Sequence, residues 1–376
     1  MSKTIVVLGS GHGGIHLSHY LLSVTDQFPD LKVIMVSPTE DLFWNLASVR
    51  VVVPDVIPVE STFFSVPKGF SKYPAKNFEF VLGKASALDA AGNSVSVLLN
   101  SGESKTISYD TLIIATGSRA REDLPWKSLE TSEKTREAIS ALRTQIAAAN
   151  SIVVAGAGPT GVEVAGELGA KYGKSKAITI ISPGKLPLEG LTDSTRSTAL
   201  KELQKLGVTV KNNTKVTGVT ESDGKKVLEL TGSDNTKTTI EADVFLPTYG
   251  VIFNTEFAPD SWKDGSNRLK VNSTLRQPDF PNIFIVGDAS DAQAPLASKL
   301  LDQLTYLKKQ LVPYLKGETV ADYVKNDGIG IAIAIGPKRG TGQAGNWRLF
   351  NLLVWWLKSR TLGLDGAGKA VEGLNL

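Results

Sequence analysis

Two groups of glycines with the same spacing are the residues of this chain best suited to hold a ligand. The pattern GxGxxG occurs after the apolar run Thr4–Leu8 and again after the apolar run Ser151–Ala155. Its glycines are Gly9, Gly11 and Gly14 in the first copy and Gly156, Gly158 and Gly161 in the second. Glycines in a tight turn between a strand and a helix let a phosphate group come close to backbone N–H groups. The two copies therefore predict two dinucleotide sites, and such a chain is equipped to pass electrons between them.

Each glycine pattern lies at the centre of a strand–turn–helix–strand unit. The helix and the second strand are predicted at 14–23 and 32–36 in the first unit and at 161–172 and 177–181 in the second. The right-handed crossover of such a unit directs the N-terminus of the helix at the bound pyrophosphate. In both units the second strand leads into the dipeptide Ser-Pro, at Ser37 and Ser182, so the repeat extends beyond the glycines.

The rest of the chain predicts how the two units are connected. Each unit is followed by a β-rich stretch and an apolar strand, at 109–117 and 242–250, and a last strand at 282–286 runs into a helical pattern. We therefore predict an α/β fold with two Rossmann-type domains and a small C-terminal α+β segment. The predicted bounds are 1–122 with 255–318 for the first domain, 123–254 for the second domain inserted within it, and 319–376 for the C-terminal segment.

Composition excludes several kinds of function. The chain of 376 residues has no cysteine, which rules out a redox-active cysteine pair, disulfides and cysteine-bound metals. Its three histidines all follow the first glycines closely, so we expect no metal site. The net charge of +3 gives no reason to expect a nucleic-acid partner. No apolar run is long enough to span a bilayer and no signal-peptide pattern is seen, so we expect a cytoplasmic protein.

Four further motifs resemble those of a known family. They are YDTLIIATGS at 109–118, IFIVGDAS at 283–290, DLFWNLASVR at 41–50 and GVEVAGEL at 161–168. With the glycine patterns, they resemble the glutathione-reductase-like flavoproteins, which have two dinucleotide-binding domains. The nearest resemblance is to the apoptosis-inducing-factor-like and ferroptosis-suppressor-like branch with its short fungal members. This resemblance implies an oxidoreductase with FAD in the first domain and NADPH or NADH in the second, working without a thiol pair.

The resemblance also implies which residues touch the cofactors. The residues implied for FAD are Gly9, Ser10, Gly11, Gly14, Ser37, Arg50, Ala85, Thr116, Gly117, Gly287 and Asp288. The residues implied for NAD(P)H are Gly156, Gly158 and Gly161, and we add Ser182 and Lys185 from their place after the second strand of that unit. Among these, Arg50 would face the FAD phosphates and Asp288 would accept hydrogen bonds from the ribityl chain. Glu163, two residues after the second glycine pattern, is the catalytic candidate and would lie near the nicotinamide.

Simpler interpretations of four of these residues stay open. Arg50 could form a surface ion pair, and Asp288 could be a helix N-cap. Glu163 could be an ordinary helix residue at a domain boundary, and Lys185 could be a solvated surface lysine. The sequence alone does not decide between these structural roles and the roles that the resemblance implies.

One position in each unit departs from the family pattern. Such units usually end the second strand with Asp or Glu, which hydrogen-bonds the ribose 2′-OH. Here Ser37 and Ser182 stand at those positions. A serine at the second site removes the repulsion that would reject a 2′-phosphate, and Lys185 lies three residues further on. We therefore expect NADPH to be accepted, and a preference for NADPH over NADH is the stronger form of this expectation.

The predicted chemistry is hydride transfer from NAD(P)H to FAD, followed by transfer of the electrons directly to a small-molecule acceptor. The first hypothesis for the acceptor is a quinone. Two alternatives stay open. One is a flavoenzyme of secondary metabolism that acts on a specific aromatic product, and the other is a redox-sensing protein with slow turnover, like apoptosis-inducing factor.

The stretch Trp347–Lys358 is the most unusual part of the C-terminal segment. It holds three of the six tryptophans, together with cationic residues. Because it is short and apolar on nearly all faces, we expect it to be buried against the protein, where it would help to wall the acceptor site. Contact with a membrane surface and a homodimer contact are the alternatives.

Overall fold

The computed structural model describes residues 3–374. The elements of residues 3–120 are β1 (Lys3–Leu8), α1 (His12–Ser23), β2 (Leu31–Ser37), β3 (Asp41–Phe43), α2 (Ser48–Val51), β4 (Phe63–Ser65), α3 (Val66–Phe70), β5 (Phe78–Asp89), β6 (Ser94–Leu99), β7 (Ser104–Ser108), β8 (Thr111–Ile114) and β9 (Ser118–Ala120). Those of residues 121–253 are α4 (Ser132–Ala148), β10 (Ser151–Ala155), α5 (Pro159–Tyr172), β11 (Ala177–Ile181), α6 (Asp193–Lys205), β12 (Thr209–Lys211), β13 (Thr214–Ser222), β14 (Lys225–Gly232), β15 (Lys237–Ala242), β16 (Val244–Pro247) and β17 (Val251–Phe253). Those of residues 254–374 are β18 (Arg276–Gln277), β19 (Phe280–Ile285), α7 (Ala297–Leu315), β20 (Gly330–Ala334), β21 (Gly340–Ala344), β22 (Trp347–Arg348), α8 (Asn351–Val354) and α9 (Leu364–Val371), with a π-helical turn at Trp355–Ser359 after α8.

The first sheet is built around parallel strands. Its order is β18-β19-β8-β1-β2-β5-β6-β7, and β1 lies between β2 and β8 with all three strands running in the same direction. Alternate residues of β1 enter two hydrophobic clusters, Ile5 and Val7 on one face of the sheet and Val6 and Leu8 on the other. Both faces of this strand are therefore covered, which explains why its sequence is continuously apolar.

The second sheet, β12-β11-β10-β16, repeats this arrangement on a smaller scale. Its central strand β10 pairs in parallel with β11 and β16, as β1 pairs with β2 and β8. These two sheets confirm the predicted fold class of two Rossmann-type units. The helices α1 and α5 begin two residues earlier than predicted, because the second glycine of each turn already serves as the extended N-cap residue.

The chain passes from the first sheet to the second and back at the positions where the first domain was predicted to be interrupted. The strands of the first sheet come from residues 3–114 and 276–285, and those of the second sheet come from residues 151–247. The antiparallel pair β9–β17 lies where the chain passes between them. The predicted domain bounds at 122, 254 and 318 fall outside every strand of both sheets, and they stay predictions.

The C-terminal segment forms a small α+β unit on the two dinucleotide-binding units. Strands β20, β21 and β22 form an antiparallel sheet that lies against α5 and α6, while α9 packs on α1. This unit therefore contacts the helix that follows each glycine turn. No helix among residues 3–374 is long and apolar enough to cross a membrane.

The aromatic stretch Trp347–Lys358 differs from the expectation that it is buried. Val354 is fully buried, but the side chains of Trp347, Phe350 and Leu352 are 82, 73 and 73% exposed. The reason is geometric: α8 has four residues and presents only one face to β20 and β21. Most of the apolar surface of this stretch therefore points away from the rest of the protein.

Candidate functional site

The glycines of the first turn have three different structural roles. Gly9 has φ +105°, and a Cβ atom there would lie 2.5 Å from the carbonyl oxygen of Ala115. A Cβ atom at Gly14 would lie 1.8 Å from the carbonyl oxygen of Gly9. At Gly11, in contrast, a Cβ atom would meet no atom of the described residues within 4 Å. The fold itself requires Gly9 and Gly14, whereas Gly11 keeps clear the space on the outer side of the turn, where a phosphate would approach.

This turn opens into a cavity of about 820 Å³, a size typical of cofactor sites. The residues predicted for FAD that line it are Gly9, Ser10, Gly11, Ser37, Ala85, Thr116, Gly117, Gly287 and Asp288. They lie on β5 and at or just after the ends of β1, β2, β8 and β19, so the sheet topology brings together residues from distant parts of the chain. Gly14 lies behind the turn, and the roles of all these residues toward FAD stay predictions.

Ser37 is buried at the end of β2 and belongs to a network of hydroxyl groups. Ser10 Oγ donates to Ser37 Oγ at 2.7 Å, and the backbone N–H of Thr39 donates to Ser37 Oγ at 3.2 Å. The position that usually carries a carboxylate therefore carries uncharged groups, which can hydrogen-bond a ribose without adding a negative charge.

Asp288 lies in the wall of the large cavity and has two partners. Lys127 Nζ and Ser118 Oγ both lie 2.7 Å from Asp288 Oδ2. Burial opposes ionisation of Asp288, but Lys127 and Ser118 outweigh it and hold the pKa of this carboxyl below its usual value. Asp288 is therefore ionised at neutral pH, and because its Oδ1 atom has no hydrogen-bond partner among residues 3–374, it can accept a hydrogen bond from a ligand hydroxyl. The sequence analysis missed Lys127, which lies in the loop before α4 and has no local pattern to mark it.

Arg50 is not one of the residues that line the large cavity, in contrast to the prediction that it faces the FAD phosphates. Its side chain is buried and forms a bidentate ion pair with Glu167 on α5, at 2.6 and 3.0 Å. Its remaining donors bind the carbonyl oxygens of Ser359 and Arg360. All nitrogens of the Arg50 side chain are therefore used, and Arg50 connects α2, α5 and the C-terminal segment. The ion pair considered as an alternative does form, but it is buried and not on the surface.

The second glycine turn has the backbone geometry of the first. Gly156 has φ +102°, and a Cβ atom at Gly161 would lie 1.8 Å from the carbonyl oxygen of Gly156. A Cβ atom at Gly158 would meet nothing within 4 Å among the described residues. Ser182 is buried and its Oγ donates to the carbonyl of Gly184 at 3.3 Å, whereas Lys185 is exposed. These predicted NAD(P)H residues lie outside the large cavity.

Glu163 lines a smaller cavity of about 140 Å³. Lys358 Nζ lies 2.6 Å from its carboxylate, and the backbone N–H of Ala334 donates to the same oxygen at 3.1 Å. Thr160 and Lys127 line both cavities, so the smaller cavity adjoins the larger one. The structure therefore places Glu163 between the second glycine turn and the Asp288 side of the large cavity. Its partner Lys358, 195 positions away, was not found from the sequence.

The two turns and the adjoining cavities form a site for two dinucleotides. The residues present fit FAD, because the space beside Gly11 is clear, the cavity is large enough and Asp288 offers a free carboxylate oxygen. This combination defines a flavoprotein oxidoreductase in which the chain binds two cofactors and the cofactors carry the electrons.

The chain belongs to the pyridine nucleotide-disulphide oxidoreductase family, whose model matches residues 3–304. Its cofactors are FAD and NAD(P)H. The chain is similar to oxidoreductase ptaL of Pestalotiopsis fici, with 37% identity over 99% of both chains. It is also similar to ferroptosis suppressor protein 1 of Mus musculus, with 25% identity over 98% of this chain and 95% of the relative. A solved sulfide:quinone oxidoreductase from Aquifex aeolicus has the same fold, with a TM-score of 0.77 and 18% identity over 99% of this chain and 92% of that one. The resemblance to this family is therefore confirmed.

Proposed function

We propose that the protein is an NAD(P)H:quinone-type oxidoreductase that needs no cysteine pair. In the overall reaction, NAD(P)H and one proton convert a quinone to a hydroquinone, so two electrons and two protons reach the acceptor. The chemistry that FAD would supply when bound is the transfer of two electrons from the nicotinamide to the acceptor. The large cavity carries the proposal, because it continues past the residues predicted for FAD to a wall of apolar side chains, in a chain without cysteine.

The residues of the chain bind and orient the reactants in this proposal. The turn at Gly9–Gly14 would hold the pyrophosphate of FAD, and Asp288 Oδ1 would accept a hydrogen bond from the ribityl chain. The turn at Gly156–Gly161 holds the pyrophosphate of NAD(P)H. Glu163, fixed by Lys358, lies at the cavity where the nicotinamide would enter.

The environment of Ser182 supports a role for NADPH. Neither Ser182 nor the exposed Lys185 carries a negative charge, so neither would repel a 2′-phosphate, and the ammonium group of Lys185 could approach it. We therefore propose that NADPH is accepted and preferred over NADH.

The exposed side chains of Trp347–Lys358 leave two interpretations of location and assembly open. One is a cytoplasmic protein in peripheral contact with a membrane surface, and the other is a homodimer contact through the same stretch. Flotation with vesicles and sedimentation of the purified protein separate these two interpretations.

Anaerobic mixing of the FAD-loaded protein with NADPH tests the proposed function. We expect the flavin absorbance near 450 nm to bleach and then to recover when a quinone is added. Absence of bleaching would refute the proposal. A panel of quinones beside non-quinone aromatic compounds, assayed for the rate of reoxidation, then distinguishes the quinone acceptor from another aromatic acceptor, and slow reoxidation by every compound favours the redox-sensing alternative.

A further inference from the structure

Two of the three histidines line the large cavity, one within the first glycine turn and one just after it. His12 and His16 lie one helical turn apart on α1 and both belong to the wall of the cavity. Other parts of this wall come from Leu301 and Leu304 on α7, from Ala370 on α9, and from the loop residues Trp44 and Lys127. Because α7 and α9 both pack on α1, this end of the cavity is enclosed by three helices and its surface is mostly apolar.

Neither imidazole has a hydrogen-bond partner among residues 3–374. His19, the next histidine of the helix, differs, since its two ring nitrogens contact Tyr73 Oη at 2.9 Å and the carbonyl oxygen of Val371 at 2.7 Å. The ring of His12 is held by an edge-on contact with Trp44, with ring centroids 4.7 Å apart. Trp44 is itself fixed, because its Nε1 donates to the carbonyl of Leu362 at 2.8 Å. His12 is thus positioned by packing alone, and its polar atoms stay available to a ligand.

Both imidazoles are uncharged at neutral pH. Burial is the largest cause that lowers the pKa of His12 and of His16, and together with the ammonium groups of Lys127 and Lys308 respectively it brings both to about 4. A neutral imidazole still has one N–H group to donate. An uncharged donor in an apolar cavity suits an uncharged ligand that carries oxygen acceptors.

We propose that His12 and His16 recognise the electron acceptor, each donating a hydrogen bond to one ring oxygen of a quinone that lies along α1. This inference rests on the proposed function and names the subsite where the acceptor binds. The Cβ atoms of residues four apart on a helix face lie about 5–6 Å apart, so two imidazoles on that face are close enough to reach the two oxygens of one para-quinone. Negative charge develops on these oxygens as the quinone is reduced, so the two donors stabilise the reduced acceptor more than the oxidised one.

The test compares the binding of two probes that differ only in their carbonyl groups. Menadione has two ring oxygens, and 2-methylnaphthalene has the same carbon skeleton without them. Calorimetric titration of FAD-loaded H12L and H16L variants is expected to show about tenfold weaker binding of menadione, with binding of 2-methylnaphthalene within about twofold of the unsubstituted protein. The H16Q variant, which keeps an N–H donor, is expected to recover most of the affinity for menadione.

The matched control is Y20F, which removes one polar group from the next turn of α1, outside the cavity. It is expected to bind both probes normally. Equal weakening of both probes in H12L and H16L would show that the histidines only shape the cavity and would overturn the proposal. So would unchanged binding of menadione, or loss of FAD from these variants, measured by the ratio of absorbance at 450 and 280 nm.

The outcome separates this inference from the proposed function. If NADPH does not bleach the flavin of the unsubstituted protein, the proposed function is wrong, whatever the calorimetry shows. If the flavin bleaches normally in H12L and H16L and menadione still reoxidises it with an unchanged KM, the proposed function stands and the role of the histidines is refuted.

Discussion

Compared residue by residue, the glycines of the first and second turns have the same backbone conformation. The first glycine of each has φ near +100°, and the second has φ and ψ of −76° and −174° at Gly11 and −73° and −175° at Gly158. The third glycine of each would place a Cβ atom 1.8 Å from the carbonyl oxygen of the first. Two sequences with different residues between the glycines therefore fold into one geometry, because the same steric restrictions act on both.

The surroundings of the two turns differ. The first turn opens into the cavity of about 820 Å³. Its second residue, Ser10, donates a hydrogen bond to Ser37 at the end of the next strand. The second turn has Ala157 at the matching position, contributes Thr160 but none of its glycines to the wall of that cavity, and has the exposed Lys185 nearby. The backbone of each turn is thus suited to bind a phosphate, while the surrounding side chains determine how deeply the rest of the ligand is enclosed. We infer that the first site retains its cofactor and the second exchanges it.

The largest expected effect comes from adding a methyl group on the ligand side of either turn. In G11A and G158A the new Cβ atom meets no atom of the described protein, so the stability of the fold should hardly change. A bound pyrophosphate would meet it, and overpacking of this kind costs about 1–3 kcal/mol, or up to roughly 100-fold in affinity. We expect G11A to lose FAD and G158A to keep FAD but to require far more NADPH.

The two variants are checked by flavin content, by the KM for NADPH and by thermal unfolding. Both variants must keep a normal melting temperature, because the weaker binding is then due to the contact with the ligand and not to unfolding. If G158A lost FAD, or if G11A kept it with normal affinity, the assignment of the two turns to two different cofactors would be wrong.

The second prediction compares two buried ion pairs of α5. Their carboxylates, Glu163 and Glu167, lie on the same face of this helix but have different surroundings. Glu163 pairs with Lys358 and lines the small cavity, whereas Glu167 pairs with Arg50 away from it. Breaking either buried pair should lower the free energy of unfolding by about 3 kcal/mol. Only E163Q should also slow flavin reduction by NADPH, by on the order of 30-fold for the loss of a charged hydrogen bond of about 2 kcal/mol.

Stopped-flow reduction and urea unfolding of E163Q and E167Q measure these two effects separately. The double variant E163Q/K358M removes both charges of the first pair, so it should recover stability but not the rate of reduction. Equal rates of reduction in E163Q and E167Q would show that Glu163 is only a structural residue.

The same comparison explains how much of the molecule could be predicted from its sequence. The turns and their strands were predicted because strand, glycine spacing and helix are local patterns, each contained within about ten residues of Gly9 or Gly156. The ion pair of Arg50 with Glu167 joins residues 117 positions apart, and nothing in either segment marks the other. Lys127 was missed for the same reason, since only the fold brings it to Asp288.

The aromatic stretch at Trp347–Lys358 shows a second limit of sequence reasoning. Its composition predicted burial, but burial depends on how much protein surface lies opposite. Because β20 and β21 offer room for one face of a short helix only, Val354 is covered and Trp356 is 62% exposed. Hydrophobicity alone does not specify the partner surface.

The third prediction compares the two serines that replace the usual carboxylates. In S182D the new carboxylate would repel a 2′-phosphate, so the ratio of kcat/KM for NADPH to that for NADH should fall about tenfold, or 1.4 kcal/mol. The matched variant S37D changes the first site and should leave this ratio unaltered. Steady-state kinetics with both nucleotides measure the ratio. A kcat/KM for NADH more than about tenfold above that for NADPH in the unsubstituted protein would show that the proposed preference is wrong.

The smallest expected effect concerns pH. It should differ between the two predicted domains, because all three histidines lie on α1 of the first domain and residues 123–254 contain none. Burial lowers the pKa of His12, His16 and His19 to about 4, with Lys127, Lys308 and Lys72 adding to this effect at each in turn. In the unfolded chain a histidine has a pKa of about 6.5. Between about pH 6.5 and 4 the unfolded state therefore binds protons that the folded state does not, so the free energy of unfolding falls as the pH drops through this window. Hydrogen exchange at pH 7 and pH 6.5, where the unfolded histidines begin to bind protons, should show, after correction for intrinsic rates, a few-fold loss of protection in β1 and β2 and none in β10 and β11. An equal loss in both sheets would mean that the histidines of α1 are not its cause.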